Sequence, residues 1–175
     1  MGICRVLRSA SPSAWIAILF IVAGLYQMVF FYRDNRYVHA LALDIVTKAH
    51  ADGSEARVIA LRDYLRTHIN NDGLPRDGSG RSFLRDGAAQ TLRSGKGLCG
   101  EVSRAFIVMA RSLGIRAQRL NLYGSLQHVV AEAEIAPHRF VVVDAQYPPQ
   151  IVDLESLDRV ILRAEYDDYS TLNLR

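Results

Sequence analysis

Cysteine is scarce in this chain of 175 residues: there are two, Cys4 and Cys99. Two thiols cannot build a disulfide scaffold. They also flank a long apolar run, so they cannot bridge each other if that run spans a bilayer. Clusters with metal-site spacing are missing too, because His39, His50, His68 and His138 are scattered along the sequence and read as surface or helix-edge side chains. No acidic stretch has the Asp-x-Asp-x-Asp-Gly spacing of a calcium loop. Neither a metal nor a cofactor is implied. The formal charge of +3 and pI near 9.0 are mild, and basic residues are interleaved with acids rather than gathered into a stripe. Nucleic-acid binding is therefore not supported. Arg76, Arg81, Arg85, Arg93 and Lys96 do gather around one loop; a solvated surface is the common meaning of such a group, attraction for anionic lipid or an acidic substrate the rarer one. No internal repeat is present.

What the chain does have is a run from Ala14 to Tyr32 that is apolar except for Gln27. Its length as a helix is about 28 Å at about 1.5 Å per residue, close to the hydrocarbon thickness of a bilayer. The run is long for a signal-peptide core, and no small-x-small cleavage site follows it. Trp15 and Tyr32 suit the two interfaces. The expectation is an uncleaved single-pass anchor; the competing reading, a buried core helix, conflicts with a segment that has no polar face. Arg5 and Arg8 precede the run and Arg33 and Arg36 follow it, so basic residues do not choose an orientation. A short basic terminus before one span usually stays inside, which places the remaining domain on the outer, periplasmic or extracytoplasmic, side.

Beyond the anchor, Val38, Leu41, Ala42, Ile45 and Ala49 mark an amphipathic helix that could continue from it and that ends near Gly53. Val58, Leu61, Leu65 and Ile69 mark a second, with Ser54 as its expected N-cap. Asn70-Asn71-Asp72-Gly73 breaks that helix, and a polar loop follows through Arg81. Asp86 is placed to cap a short helix running to Arg93. The stretch Ile115 to Leu122 changes the face of its alternation near Gln118-Arg119, as a strand with a bulge would.

Chemistry enters at Gly97-Leu98-Cys99-Gly100-Glu101. The residues Val102 to Gly114 read as a mostly apolar, buried helix, with Gly114 as its left-handed stop. Cys99 then occupies its first turn, where unpaired backbone N–H groups favour a thiolate. Taken alone, such a cysteine is equally well an inert buried thiol. A partner base changes that balance. From Leu126 to Ile135 the chain alternates, with Val129, Ala131, Ala133 and Ile135 on one face and His128, Val130, Glu132 and Glu134 on the other. A second strand, Arg139 to Ala145, puts Phe140, Val142 and Asp144 on one face. Pro137 cannot take the positive φ of a primed two-residue turn, so a three- or five-residue loop is expected. An odd loop centred on Ala136 sets His128 directly opposite Asp144; an even loop puts Asp144 on the wrong face.

These motifs, with Gly-Ile after the helix and the runs His128-Val-Val-Ala-Glu132-Ala and Phe140-Val-Val-Val-Asp144, resemble the core of a transglutaminase-like domain in the wider papain-like group of cysteine enzymes. The resemblance covers Asp86 to Tyr147. It implies an α+β fold with the cysteine's helix packed on an antiparallel sheet, and a catalytic set of Cys99 as nucleophile, His128 as general base and acid, and Asp144 as orienting carboxylate. The implied reaction is acyl transfer from a protein or peptide amide, through a thioester, to an amine or water. Gln90 and Asn121 are the side-chain amides considered for a second oxyanion donor beside the backbone N–H of Cys99. The expected organisation is a basic tail over 1–13, an anchor over 14–32, a helical segment and loop over 33–81, a catalytic core over 82–165 and an exposed tail over 166–175. The alternative is an inactive domain of the same fold that binds a peptide or protein. A weaker third reading has the soluble helices docked on a neighbouring membrane protein, with the triad incidental.

Overall fold

The computed structural model describes residues 11–71, 87–124, 127–147, 149, 151, 153–163 and 166–171. Within them lie helices α1 (Pro12–Lys48), α2 (Gly53–His68), α3 (Ala88–Ser94), α4 (Cys99–Ser112) and α5 (Leu157–Arg163). The strands are β1 (Ala117–Gly124), β2 (His128–Ala136), β3 (Arg139–Val143) and β4 (Tyr166–Thr171). The strands form one antiparallel sheet in the order β3-β2-β1-β4.

The chain divides into two units, one up to Arg36 and one from Tyr37. The first carries the apolar part of α1, the one helix among the described residues long and apolar enough to cross a membrane. Its large side chains, among them Leu19, Phe20 and Phe31, are exposed, which removes the buried-core reading of this run. Near its end, Arg33 lies 6.0 Å from the Phe30 ring centroid and Arg36 lies 5.8 Å from that of Tyr32. Cations folded over aromatic rings in this way suit the boundary between hydrocarbon and water.

The second unit holds the core. α1 has no break between the apolar run and the amphipathic stretch; the two are one helix, and Val38, Ala42, Ile45 and Val46 are buried. From α2 come Val58, Leu61 and Leu65, and from α4 Val102, Ala105, Phe106, Met109 and Ala110; these pack with Ala131, Ala133 and Ile135 of β2. The helical segment over 33–81 supplies about a third of the buried residues of this core, among them Val38, Ala42, Val58 and Leu61. Ser54 does not cap α2: the N-cap position is Asp52, and no side chain bonds the exposed N–H groups there. The expected Asp86 cap, the basic residues 76, 81 and 85, and the loop from 72 to 81 lie outside the described residues.

The opposite face of the sheet is also covered, by a smaller cluster of Leu120, Leu122, Val130, Val142, Ile151 and Val160. This explains the change of alternation in β1. Ala117 belongs to the α4 side while Leu120 and Leu122 belong to the other, and β1 pairs with β2 from Ala117 to Leu122 without interruption. A strand buried on both faces can shift its apolar residues between them with no bulge at Gln118-Arg119. Residues 166–171, expected in an exposed tail, form β4 and pair with β1. The run Tyr166-Asp-Asp-Tyr-Ser-Thr171 has no alternating apolar signature; backbone pairing with a sheet edge holds it instead.

The turn between α3 and α4 is tied to the end of α2. Asn70 N–H donates to Gly95 O at 2.8 Å and Gly97 N–H donates to Asn70 O at 3.2 Å. Gly95 closes α3 in the left-handed region at φ 64°, and a Cβ there would stand 3.2 Å from His68 O. Gly95→Ala is expected to destabilise the fold by about 1–2 kcal/mol, read as a lower urea midpoint at unchanged slope; an unaltered midpoint contradicts the packing described.

Candidate active site

Gly97 sits where α3 meets α4: a Cβ at this position would approach Thr91 Cγ2 to 3.0 Å and Glu101 Cβ to 3.3 Å. The next residue, Leu98, is the N-cap of α4 and has no side-chain oxygen to offer the helix. Glu101 Oε2 accepts the Leu98 N–H at 2.9 Å, fixing the entry to the helix from the other direction. The first N–H groups of α4 are left to act on what lies beside them, and that is the half-buried thiol of Cys99. The backbone N–H groups of Val129 and Gly100 face its sulfur and favour the thiolate.

Val129 belongs to the start of β2, so the first turn of α4 abuts the rim of the sheet. Ser103, one helical turn beyond Cys99 and buried, donates its hydroxyl to Val129 O at 2.9 Å and pins the two elements together. His128 opens β2 and Asp144 follows the last residue of β3. Both are almost fully enclosed, at 1% exposure each. His128 Nε2 and Asp144 Oδ2 are 2.9 Å apart. With Nε2 so engaged, Nδ1 is the ring nitrogen left for the hydrogen bond with the Cys99 thiol. The structure thus brings together the three side chains read from the sequence: His128 is bonded to Asp144, and Cys99 lies close enough for the imidazole to act on its thiol.

The register behind this meeting differs from the expected one. The hairpin turns on two residues, Pro137 and His138, and only His138 takes a positive φ, 62°; Pro137 needs none. Ala136 pairs with Arg139, and a pairing continued from there without interruption would put Asp144 beside Ala131, on the wrong face. A bulge between Glu134 and Ala136 prevents this: Glu134 pairs with Phe140 and Ala131 with Val143. The odd residue expected in the loop is Ile135, in the strand. Continued one residue further, the ladder sets Asp144 beside Val130, so it shares a face with His128 but stands one alternation along from it, not directly opposite.

Electrostatics follow from burial and these bonds. Enclosure would lower the His128 pKa, but the bonds to Asp144 and Cys99 and their negative charge outweigh it and raise it from 6.5 to about 9. For Cys99, burial pushes the thiol up; the His128 bond and charge, then the N–H groups of Val129 and Gly100, bring it below its ordinary 9.0. Both shifts favour a thiolate beside an imidazolium. Because the folded-state value of His128 is raised, its share of stability is complete below pH 6.5 and is lost as pH climbs through about 9.

Asp144 is itself held. Its Oδ1 accepts the Gln146 N–H at 3.1 Å, and its backbone carbonyl accepts Arg66 Nε–H at 2.9 Å. Sequence reading did not single out Ser103, Arg66 or Gln146. Ser103 had a signal, being a small polar residue on the Cys99 face of an apolar helix. Arg66 had none, since its partner lies 78 residues away. Of the two amides considered as oxyanion donors, Gln90 is exposed on α3 and Asn121 Oδ1 accepts from Arg119 Nε at 2.9 Å. Among the described residues no group of three His, Cys, Asp or Glu could hold a metal ion.

A model of the transglutaminase-like superfamily matches residues 39–145. No curated protein shows significant similarity. Among solved structures, a candidate cysteine protease from Cytophaga hutchinsonii is similar with a TM-score of 0.52 at 19% identity, over 79% of this chain and 49% of that one. A candidate protease from Parabacteroides distasonis is similar with a TM-score of 0.50 at 20% identity, over 67% of this chain and 23% of that one. The chain spans about half the length of the first and under a quarter of the second. At these identities the likeness is one of fold.

Two measurements check the electrostatics. The His128 ring should still be protonated at pH 8, seen as imidazolium nitrogen shifts in NMR; a neutral ring at that pH contradicts the geometry. In a Cys4→Ser background, iodoacetamide should alkylate Cys99 with a midpoint below that of a free thiol, about 8.5. Asp144→Asn should raise that midpoint and slow alkylation at pH 7, by about tenfold if the midpoint climbs from one pH value to the next whole one.

Proposed function

This chain belongs to the transglutaminase-like superfamily, and on that premise we propose that it is a membrane-anchored cysteine enzyme that forms a thioester through Cys99 and passes the acyl group to an amine or to water. The observation carrying this reading is the enclosed His128–Asp144 hydrogen bond with the Cys99 thiol beside it, under the influence of that imidazole. An ordinary structural thiol needs neither an imidazole nor a buried carboxylate behind it.

In the proposed reaction the Cys99 thiolate attacks the carbonyl carbon of a protein or peptide amide, and the carbonyl π pair moves to oxygen. Backbone N–H groups at the start of α4 stabilise that oxyanion. As the intermediate collapses, the C–N bond breaks and the His128 imidazolium gives its proton to the departing nitrogen. An amine or water then attacks the thioester carbonyl while neutral His128 takes its proton, and the thiolate leaves. Asp144 keeps the ring oriented and stabilises its charged form throughout. Apolar α1 is proposed as the anchor, with the catalytic unit on the outer side of the membrane.

The test uses the full chain in detergent with glutamine-containing peptides, with and without a fluorescent primary amine. Incorporation of the amine, absent in Cys99→Ala, supports transfer to amines; ammonia release alone supports hydrolysis. Neither product, together with a Cys99 that titrates as a free thiol near 8.5, would overturn the enzyme reading in favour of a binding domain. A membrane-impermeant maleimide applied to intact cells should label Cys99 in a Cys4→Ser chain; protection until lysis would place the domain inside.

A further inference from the structure

The carboxylate at the end of β3 is fastened to a helix whose sequence gives no hint of the task. Arg66, in the last turns of α2, has two partners. Its Nε–H donates to the Asp144 backbone carbonyl at 2.9 Å, and its Nη2 donates to Asp153 Oδ2 at 2.8 Å. The Asp153 side chain is 11% exposed and that of Arg66 is 18% exposed, so both bonds form in a largely dry setting where such pairs are sensitive to the loss of one member. Arg62 reaches Asp153 from one turn earlier, at 3.3 Å. Burial pushes the Asp153 carboxyl up, and the two arginines draw it back only in part.

We propose that Arg66, clamped between Asp153 and the carbonyl of Asp144, is a positioning residue that keeps the Asp144 carboxylate aimed at His128. Asp144 stands one residue past the end of β3, where the sheet ladder no longer fixes its backbone. Gln146 N–H fixes one carboxylate oxygen and His128 the other, but neither bond holds the peptide from which the side chain springs. The planar guanidinium takes hold of its carbonyl with one edge and of Asp153 with another, and the Asp153 carboxylate so placed faces the Asp144 backbone N–H. Such a two-partner role suits the fixed planar fork of arginine; the compact ammonium of lysine is a point charge without that geometry. The inference rests on the triad reading of the preceding subsection.

The experiment measures the pH midpoint of Cys99 alkylation by iodoacetamide in the full chain in detergent, carrying Cys4→Ser. Arg66→Met is expected to raise the midpoint by about 1 on the pH scale and slow alkylation below it about tenfold. Arg66→Lys keeps the charge and is expected to show most of that rise. Val58→Ala, in the core face of the same helix, should lower the melting temperature while leaving the midpoint in place. An unmoved midpoint in folded Arg66→Met overturns the proposal. So does a wild-type midpoint in Arg66→Lys, which would mean that charge alone matters, or a Val58→Ala change as large as that of Arg66→Met, which would mean that stability alone matters. If Arg66→Met does not fold, Arg66→Lys decides by the same criterion. A wild-type midpoint near 8.5 in the parent chain would instead remove the triad reading, and this proposal with it.

Discussion

An imidazole enclosed to the degree of His128 is stable in its charged form only because a carboxylate meets it at hydrogen-bond distance, and most of the molecule's particulars serve that contact. Desolvation acts against the ion on both sides of the pair. It is offset by what stands on the remaining polar edges: the Cys99 thiol near the imidazole, the Gln146 N–H bonded to the second carboxylate oxygen, and a guanidinium bonded to the carbonyl behind it. Strip any of these and a buried group loses its partner. The sheet, α4 and α2 are the three supports from which those bonds are drawn.

Much of this was written plainly in the sequence, for reasons that differ by element. The cysteine helix was legible because its apolar face is wide and Gly114 ends it, and the anchor because nothing polar interrupts it for most of its length. His128, Asp144 and their shared face were legible because alternation has a period of two, so side-chain direction survives even when the partner residue is misjudged. The turn was not legible in detail. Whether the odd residue of a hairpin lies in its loop or in a flanking strand is decided by local twist and by whether Ile135 can remain buried, and neither is expressed in the run Glu134-Ile-Ala-Pro-His138.

What stayed hidden is what depends on distance along the chain. Arg66 and Asp153 look like ordinary solvated charges until folding brings α2 alongside the segment after β3. The strand β4 was overlooked because an edge strand is held through its backbone, which no pattern of side chains advertises. The two-sided burial of β1 was read as a bulge for a related cause: the smaller cluster on the outer face draws Ile151 and Val160 from segments far downstream, and nothing within β1 itself announces them.

The bulge beside the Pro137-His138 turn has one further consequence. Gaining or losing one residue between Glu134 and Phe140, with no bulge or loop to absorb it, would rotate everything downstream in β3 to the other side of the sheet, burying the carboxylate away from the ring and turning Val141 and Val143 out of the main core. Length variation in this hairpin must consequently come in pairs of residues or be absorbed by a bulge, as Ile135 is here. A lineage that did neither could keep all three reactive side chains in its sequence and still have no assembled site.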